Sequence, residues 1–254
     1  METCKALASV GAKIILCSRS VQNGEKAVES EIKNDGLGKY KVADPKIIVK
    51  QFDLESLESV KRFADDVLST ETHIDGIILN AGIMALPNLE YTSTGLERQI
   101  GVNHFGHFYL VKLLEPLLLS QSTPCRIVSL SSIAHKYGDV IGSDLHYKKG
   151  RSYGKWEAYG QSKLANLLFA KSLADRYREK GKEISAVSVH PGVISTGLAR
   201  HMGPVASFIY DTFFTDKTIP QGKRVFILAV FTREHLSSYS CLNNPSISFI
   251  FLFY

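Results

Sequence analysis

Ile77-Ile78-Leu79-Asn80-Ala81-Gly82 sets a short, wholly apolar run directly against a turn-forming triplet. A run of this kind, with no apolar/polar alternation, reads as a strand buried on both faces, and Asn and Gly close it because they accept turn geometry. The arrangement recurs along the chain. Upstream, Lys13-Ile14-Ile15-Leu16-Cys17 follows Gly11, and Ile47-Ile48-Val49-Lys50-Gln51-Phe52 ends at Asp53. Downstream, Arg126-Ile127-Val128-Ser129-Leu130 precedes Ser131-Ser132, and Ile184-Ser185-Ala186-Val187-Ser188-Val189 stops at His190-Pro191-Gly192. Helical spacing fills the intervals: 20–33 with Ser20 as N-cap, 56–69 with Leu57, Val60, Phe63, Ala64, Val67 and Leu68 on one face, then 94–120 and 157–179. Strands alternating with helices predict an α/β fold, a doubly wound, mostly parallel sheet of the Rossmann-like kind. Ligands of such sheets bind where the strands end at their carboxyl side. That rule singles out Ser18-Arg19, Asp53, Asn80-Ala81-Gly82, Ser131-Ser132 and Pro191-Gly192.

Composition narrows the function classes. Of 254 residues, 44% are hydrophobic and 22% charged, which excludes a disordered or low-complexity chain. Lys and Arg total 30 against 25 Asp and Glu, a net charge of +5 that is scattered, so no nucleic-acid partner is expected. Cys4, Cys17, Cys125 and Cys241 form no CxxC pair. Neither zinc nor a disulfide framework is expected, no metal site is proposed, and the default is a reducing intracellular compartment, the cytoplasm. No segment reaches the roughly 18 apolar residues of a membrane span, and Met1-Glu2-Thr3-Cys4-Lys5 lacks the apolar region of a signal peptide.

The sharpest chemical feature is Tyr159-Gly160-Gln161-Ser162-Lys163. Residues four apart share one helix face. A phenol ionises near pH 10 in isolation, and a neighbouring ammonium favours the phenolate, so the pair can act as general acid or base on an alcohol or carbonyl. A helix-surface Tyr–Lys pair has the same spacing, and the neighbours decide between the two readings. Ser132 follows the fourth strand and could hydrogen-bond an oxygen on which charge develops, or could simply cap a turn. Asn103, within Val102-Asn103-His104-Phe105-Gly106, sits in a mostly apolar helix and must find partners. It could be structural, or it could hold a water.

The joint pattern Asn80-Ala81-Gly82, Asn103, Ser132, Tyr159-x-x-x-Lys163 and Pro191-Gly192, in this order and on these elements, resembles the short-chain dehydrogenase/reductase family over about residues 1–235. Leu79-Asn80-Ala81-Gly82-Ile83-Met84, Val102 to Phe108 and Val189-His190-Pro191-Gly192 resemble its retinol dehydrogenase-like and WW-domain oxidoreductase-like branch; no WW domain is present. The resemblance implies Tyr159 as acid/base, Lys163 tuning it and holding the nicotinamide ribose, Ser132 positioning the substrate oxygen, and Asn103 supporting a proton relay through water. It implies Pro191, Gly192, Val193 and Thr196 beside the nicotinamide, Asp53 and Leu54 at the adenine, and Asn80, Ala81 and Gly82 at its ribose. It further implies a small apolar alcohol or carbonyl substrate, retinoid-like, near a loop over 197–220, and a homodimer through the helices of 94–120 and 157–180. The cofactor type can be argued directly. Where an NAD site places an acidic residue after its second strand, this chain has Cys17-Ser18-Arg19-Ser20, and Arg19 suits a 2′-phosphate. NADP(H) is therefore expected over NAD(H).

Two departures are expected to matter. The family opens with a strand and a glycine-rich turn that holds the pyrophosphate. Here Met1 to Ala8 reads as the middle of the helix that should follow them, about twenty residues late by that pattern. Without a first strand, two interior strand edges would lose partners, each unpaired buried group costing about 1–3 kcal/mol. At the other end, 236–254 reads as a divergent apolar tail after a 1–235 domain. Ile247 to Tyr254 could be a substitute edge strand, a membrane-touching patch or a translated non-coding extension. The last is the favoured expectation, and an exposed tail of this composition would be an aggregation hazard. The alternative to an enzyme is accordingly a catalytically inactive fragment that at most binds.

Overall fold

The computed structural model describes residues 1–33, 45–192 and 248–252. The chain enters on α1 (Glu2–Ser9), then β1 (Lys13–Ser18), α2 (Val21–Val28), β2 (Ile47–Gln51), α3 (Leu57–Thr70) and β3 (Gly76–Leu79). After α4 (Arg98–Ile100) a π-turn over Gly101–Phe105 leads into α5 (Gly106–Ser120), followed by β4 (Cys125–Leu130), α6 (Lys155–Glu179), β5 (Ile184–Val189) and β6 (Ser248–Leu252). The caps are those the sequence supplies: Ser20 Oγ accepts from the Asn23 amide, and Ser56 Oγ accepts from the Ser59 amide. The helix expected from 94 begins only at Arg98. Gly95 takes φ +78°, Tyr91 and Glu97 form a β-bridge, and the Glu97 carboxylate caps the helix by accepting from the Gln99 and Ile100 amides.

The six strands form one sheet in the order β2-β1-β6-β3-β4-β5, every neighbouring pair parallel. The α/β parallel-sheet expectation holds. Of the readings of the tail, the substitute strand is realised, but at the centre of the sheet and not at its edge. Ser248–Leu252 is a central strand, parallel to β1 on one side (Ile15 opposite Ile250) and to β3 on the other (Ile77 opposite Ile250). The two interior edges that would have lost partners, on β1 and β3, are both paired with β6. The physical reason is the chemistry of the segment. Its five residues are all buried, and a fully apolar strand is stable only where both of its faces are covered.

Side chains of β6 alternate between two cores. Ile250 and Leu252 join Ile15, Cys17, Ile77 and Leu79 beneath α3, α5 and α6. Phe249 and Phe251 join Ile14, Leu16, Ile78 and Val128 beneath α1 and α2. Gly76 makes room for this packing, since a Cβ there would fall 2.3 Å from the Phe249 ring. At the amino end of β6, Ser248 N donates to Asp75 Oδ2 at 2.6 Å and Asp75 N donates to the Ser248 carbonyl at 3.0 Å. Among the described residues no helix is long and apolar enough to cross a membrane.

Candidate active site

Because all six strands are parallel, their carboxyl ends share one edge, and nearly all the residues singled out from sequence lie along it. Ser18 is buried at the end of β1, its Oγ accepting from the Ser20 amide at 3.4 Å, and exposed Arg19 follows. Asp53, just past β2, accepts from the Glu55 amide at 3.0 Å, and Leu54 is buried in the core. Asn80, Ala81 and Gly82 leave β3, with Asn80 Nδ2 donating to the Leu252 carbonyl of β6 at 3.5 Å. Ser132 leaves β4, and its Oγ accepts from the Ala134 amide at 3.3 Å, so it caps the short 3-10 turn Ile133–Tyr137. Pro191 and Gly192 follow β5, Gly192 at φ +91°. Val193 and Thr196, and the substrate loop expected over 197–220, lie outside the described residues.

Behind this edge Asn103, Tyr159 and Lys163 come together. Asn103 is fully buried in the π-turn. Its Oδ1 accepts from the Ile83 amide at 2.8 Å, while Nδ2 donates to the Ile83 carbonyl and to Ser162 Oγ, both at 2.9 Å. Ser162 Oγ in turn donates to the Tyr159 carbonyl at 2.7 Å. The amide thus ties the β3 turn to the α6 segment that carries the Tyr–Lys pair. Lys163 is 3% exposed; its Nζ donates to the Leu130 carbonyl at 3.1 Å and lies 5.5 Å from the centre of the Tyr159 ring. Ser131 Oγ donates to the Lys163 carbonyl at 2.7 Å, fastening α6 to the end of β4. Tyr159 packs against Met84, Ala85 and Ala134, which places it between the β3 turn and the turn that Ser132 caps.

Two glycines set these distances. At Gly82 a Cβ would fall 2.9 Å from Asn103 Oδ1 and 3.7 Å from Lys163 Nζ, so only a bare backbone fits between them. At Gly160, next to Tyr159, a Cβ would fall 2.6 Å from the Ala134 carbonyl and 2.8 Å from the Gly138 amide, so α6 touches the Ser132 turn backbone to backbone. Gly160 escaped the sequence reading, because its contact is with a segment more than twenty positions away. So did His107 and Asn166. Asn166 Nδ2 donates to the Leu130 carbonyl at 2.8 Å, and its Oδ1 meets His104 Nδ1 at 3.2 Å.

Burial strips water from the Lys163 ammonium and lowers its pKa from 10.5 to about 8. A depressed lysine penalises the folded state while it is charged. That penalty is complete below about pH 8 and disappears as pH rises to 10.5, where the unfolded chain also loses its proton. Lys163→Met should therefore melt above the parent at pH 7, by up to about 3 kcal/mol. The Leu130 carbonyl keeps its bond from Asn166 in that variant. The gap in melting temperature should close between pH 8 and 10.5, and a gap independent of pH would show that Lys163 is not desolvated.

The sequence profile of the short chain dehydrogenase family matches residues 1–205. Retinol dehydrogenase 11 of Mus musculus is 38% identical over 240 residues, 94% of this chain and 71% of that protein. Retinol dehydrogenase 14 of Mus musculus is 40% identical over 205 residues, 79% of this chain and 59% of that protein. Among solved structures, a putative uncharacterized protein from Mycobacterium paratuberculosis superposes with a TM-score of 0.65 at 33% identity, covering 90% of this chain and 84% of that one. With its parallel sheet, its buried Tyr–Lys pair and these relatives, the chain belongs to the retinol dehydrogenase-like branch of the short-chain dehydrogenase/reductase family, oxidoreductases that use nicotinamide cofactors.

Proposed function

We propose that the protein interconverts an alcohol and a carbonyl with NADP(H), on a small apolar, retinoid-like substrate. The observation that carries this reading is the buried Lys163 ammonium, 5.5 Å from the Tyr159 ring, behind the crevice where the strands end. The cofactor's nicotinamide-ribose end suits the residues there. Gly82 leaves an open backbone cradle against Asn103 and Lys163, and an ammonium has three donors of which the Leu130 carbonyl takes one. Tyr159, Lys163, Pro191, Gly192, Val193 and Thr196 would hold that end, and Asp53, Leu54, Ser18 and Arg19, with Asn80, Ala81 and Gly82 at the ribose, the adenosine end. When bound, the nicotinamide supplies or accepts the hydride.

The chain's own residues do the rest. Tyr159 donates its hydroxyl proton to the carbonyl oxygen in reduction and takes it back in oxidation. Lys163 favours the phenolate electrostatically. The Ser132 hydroxyl donates a hydrogen bond to the same oxygen, and Asn103 supports return of the proton through water. The substrate class follows the retinol dehydrogenases that the chain resembles.

The cofactor preference rests on Arg19. Fluorescence titration should find NADPH bound at least about tenfold more tightly than NADH, the scale of one charge-assisted guanidinium–phosphate contact, and Arg19→Ala should erase most of the difference. Equal affinities in the parent protein would remove Arg19 from this role. A second reading, binding without turnover, has one observation in its favour: the slot between β1 and β3 is filled by the apolar β6, and no glycine-rich turn follows a strand there among the described residues. The same titration, followed by turnover of an apolar aldehyde with NADPH, separates the two.

A further inference from the structure

His107 lies on α5 one turn beyond Asn103 and is 1% exposed. Its Nδ1 meets the Asn103 carbonyl at 3.1 Å. A carbonyl only accepts, so Nδ1 carries the hydrogen, and a neutral ring then presents a bare lone pair at Nε2. The ring does stay neutral. Burial first, then the charges of Lys163 on α6 and His104 in the π-turn, push its pKa down to about 3. Yet Nε2 is buried and meets no donor among the described residues. A buried acceptor left unmatched costs about 1–3 kcal/mol, and proteins usually satisfy such groups with an internal water. Among the described residues, the one positive charge that acts on this ring besides His104 is Lys163. Lys163 Nζ gives one hydrogen to the Leu130 carbonyl and has others to give.

We propose that His107 Nε2 and Lys163 Nζ hold one buried water between them: the ammonium donates to the water oxygen, and the water donates to Nε2. One lone pair of the Asn103 carbonyl is engaged by His107 Nδ1, so the imidazole joins the Asn103 backbone to that water. His107 is a positioning residue. It fixes the ammonium beside Tyr159 and never itself takes a proton. The proposal rests on the reading of Tyr159 and Lys163 as the acid–base pair.

Two substitutions separate this role from a structural one. His107→Asn keeps a donor where Nδ1 stands and removes the acceptor at Nε2. His107→Gln reaches the Nε2 position with an acceptor and gives up the Nδ1 bond. The expected result is that His107→Asn lowers kcat at least about tenfold, with KM for NADPH within about twofold, and moves the alkaline limb of the pH–rate profile, while His107→Gln recovers most of the turnover. The reverse order would overturn the proposal and assign the histidine to the Asn103 carbonyl alone. Nitrogen-15 NMR of the unsubstituted protein reads the same question without catalysis, so it stands even if neither variant folds or no substrate turns over. The Nδ1–H tautomer, with Nε2 accepting a hydrogen bond from a long-lived water, is expected across neutral pH. The Nε2–H tautomer, or an Nε2 with no water beside it, overturns the proposal. Loss of turnover in the unsubstituted protein with the water still present would instead count against the acid–base reading.

Discussion

Phe251→Asp is expected to leave no folded protein at 25 °C. The side chain is 3% exposed, its backbone is paired with Leu16 of β1 and Ile78 of β3, and its ring helps to fill the core beneath α1 and α2. Removing a buried phenylalanine costs about 3–5 kcal/mol, and enclosing an unpaired carboxylate costs several more. The sum reaches the whole stability of an ordinary domain, about 5–15 kcal/mol. Far-UV circular dichroism and thermal melting report the outcome, with Phe251→Leu as the control that should still melt cooperatively. An aspartate variant melting within a few degrees of the parent would mean that β6 does not bind β1 and β3 together.

Tyr159→Phe should reduce turnover by about 10²–10⁴-fold, the range for loss of a positioned general acid, while NADPH affinity stays within a few-fold. The substitution removes one oxygen. The ring that packs on Met84, Ala85 and Ala134 is retained, so the fold and the crevice should be unchanged. Steady-state kinetics in both directions, beside a cofactor titration, test this. Retained turnover would take the proton-transfer role from Tyr159, and lost cofactor binding would mean that the hydroxyl serves the cofactor and not the substrate.

The strands were legible because a parallel sheet covered on both faces demands continuous apolar runs, and Ile77-Ile78-Leu79 or Ile14-Ile15-Leu16-Cys17 can be little else. The Tyr–Lys pair was legible because its geometry is local, one helical turn. What was not legible is nonlocal. Phe249-Ile250-Phe251-Leu252 reads equally well as an exposed liability or a buried strand, because a segment apolar on both faces carries no register or address. Its slot is defined by β1 and β3, not by its own residues. The π-turn around Asn103 has no composition signature, and the late start of α4 turns on Glu97, whose carboxylate caps the helix from outside it. Gly160 matters only because Gly138 and Ala134 lie against it.

The central strand also governs when this protein can fold as it is synthesised. Ser248 joins Asp75 across a separation of 173 residues. At about 5–20 residues per second, a ribosome needs roughly 9–35 s to travel between them. Throughout that interval β1 and β3 have been made and their shared neighbour has not, so the nascent chain carries two apolar strand edges with nothing between them. Its yield in a cell should depend on holding chaperones, and a premature stop codon shortly before position 248 would leave every residue of the proposed catalytic set encoded and the protein without its keystone.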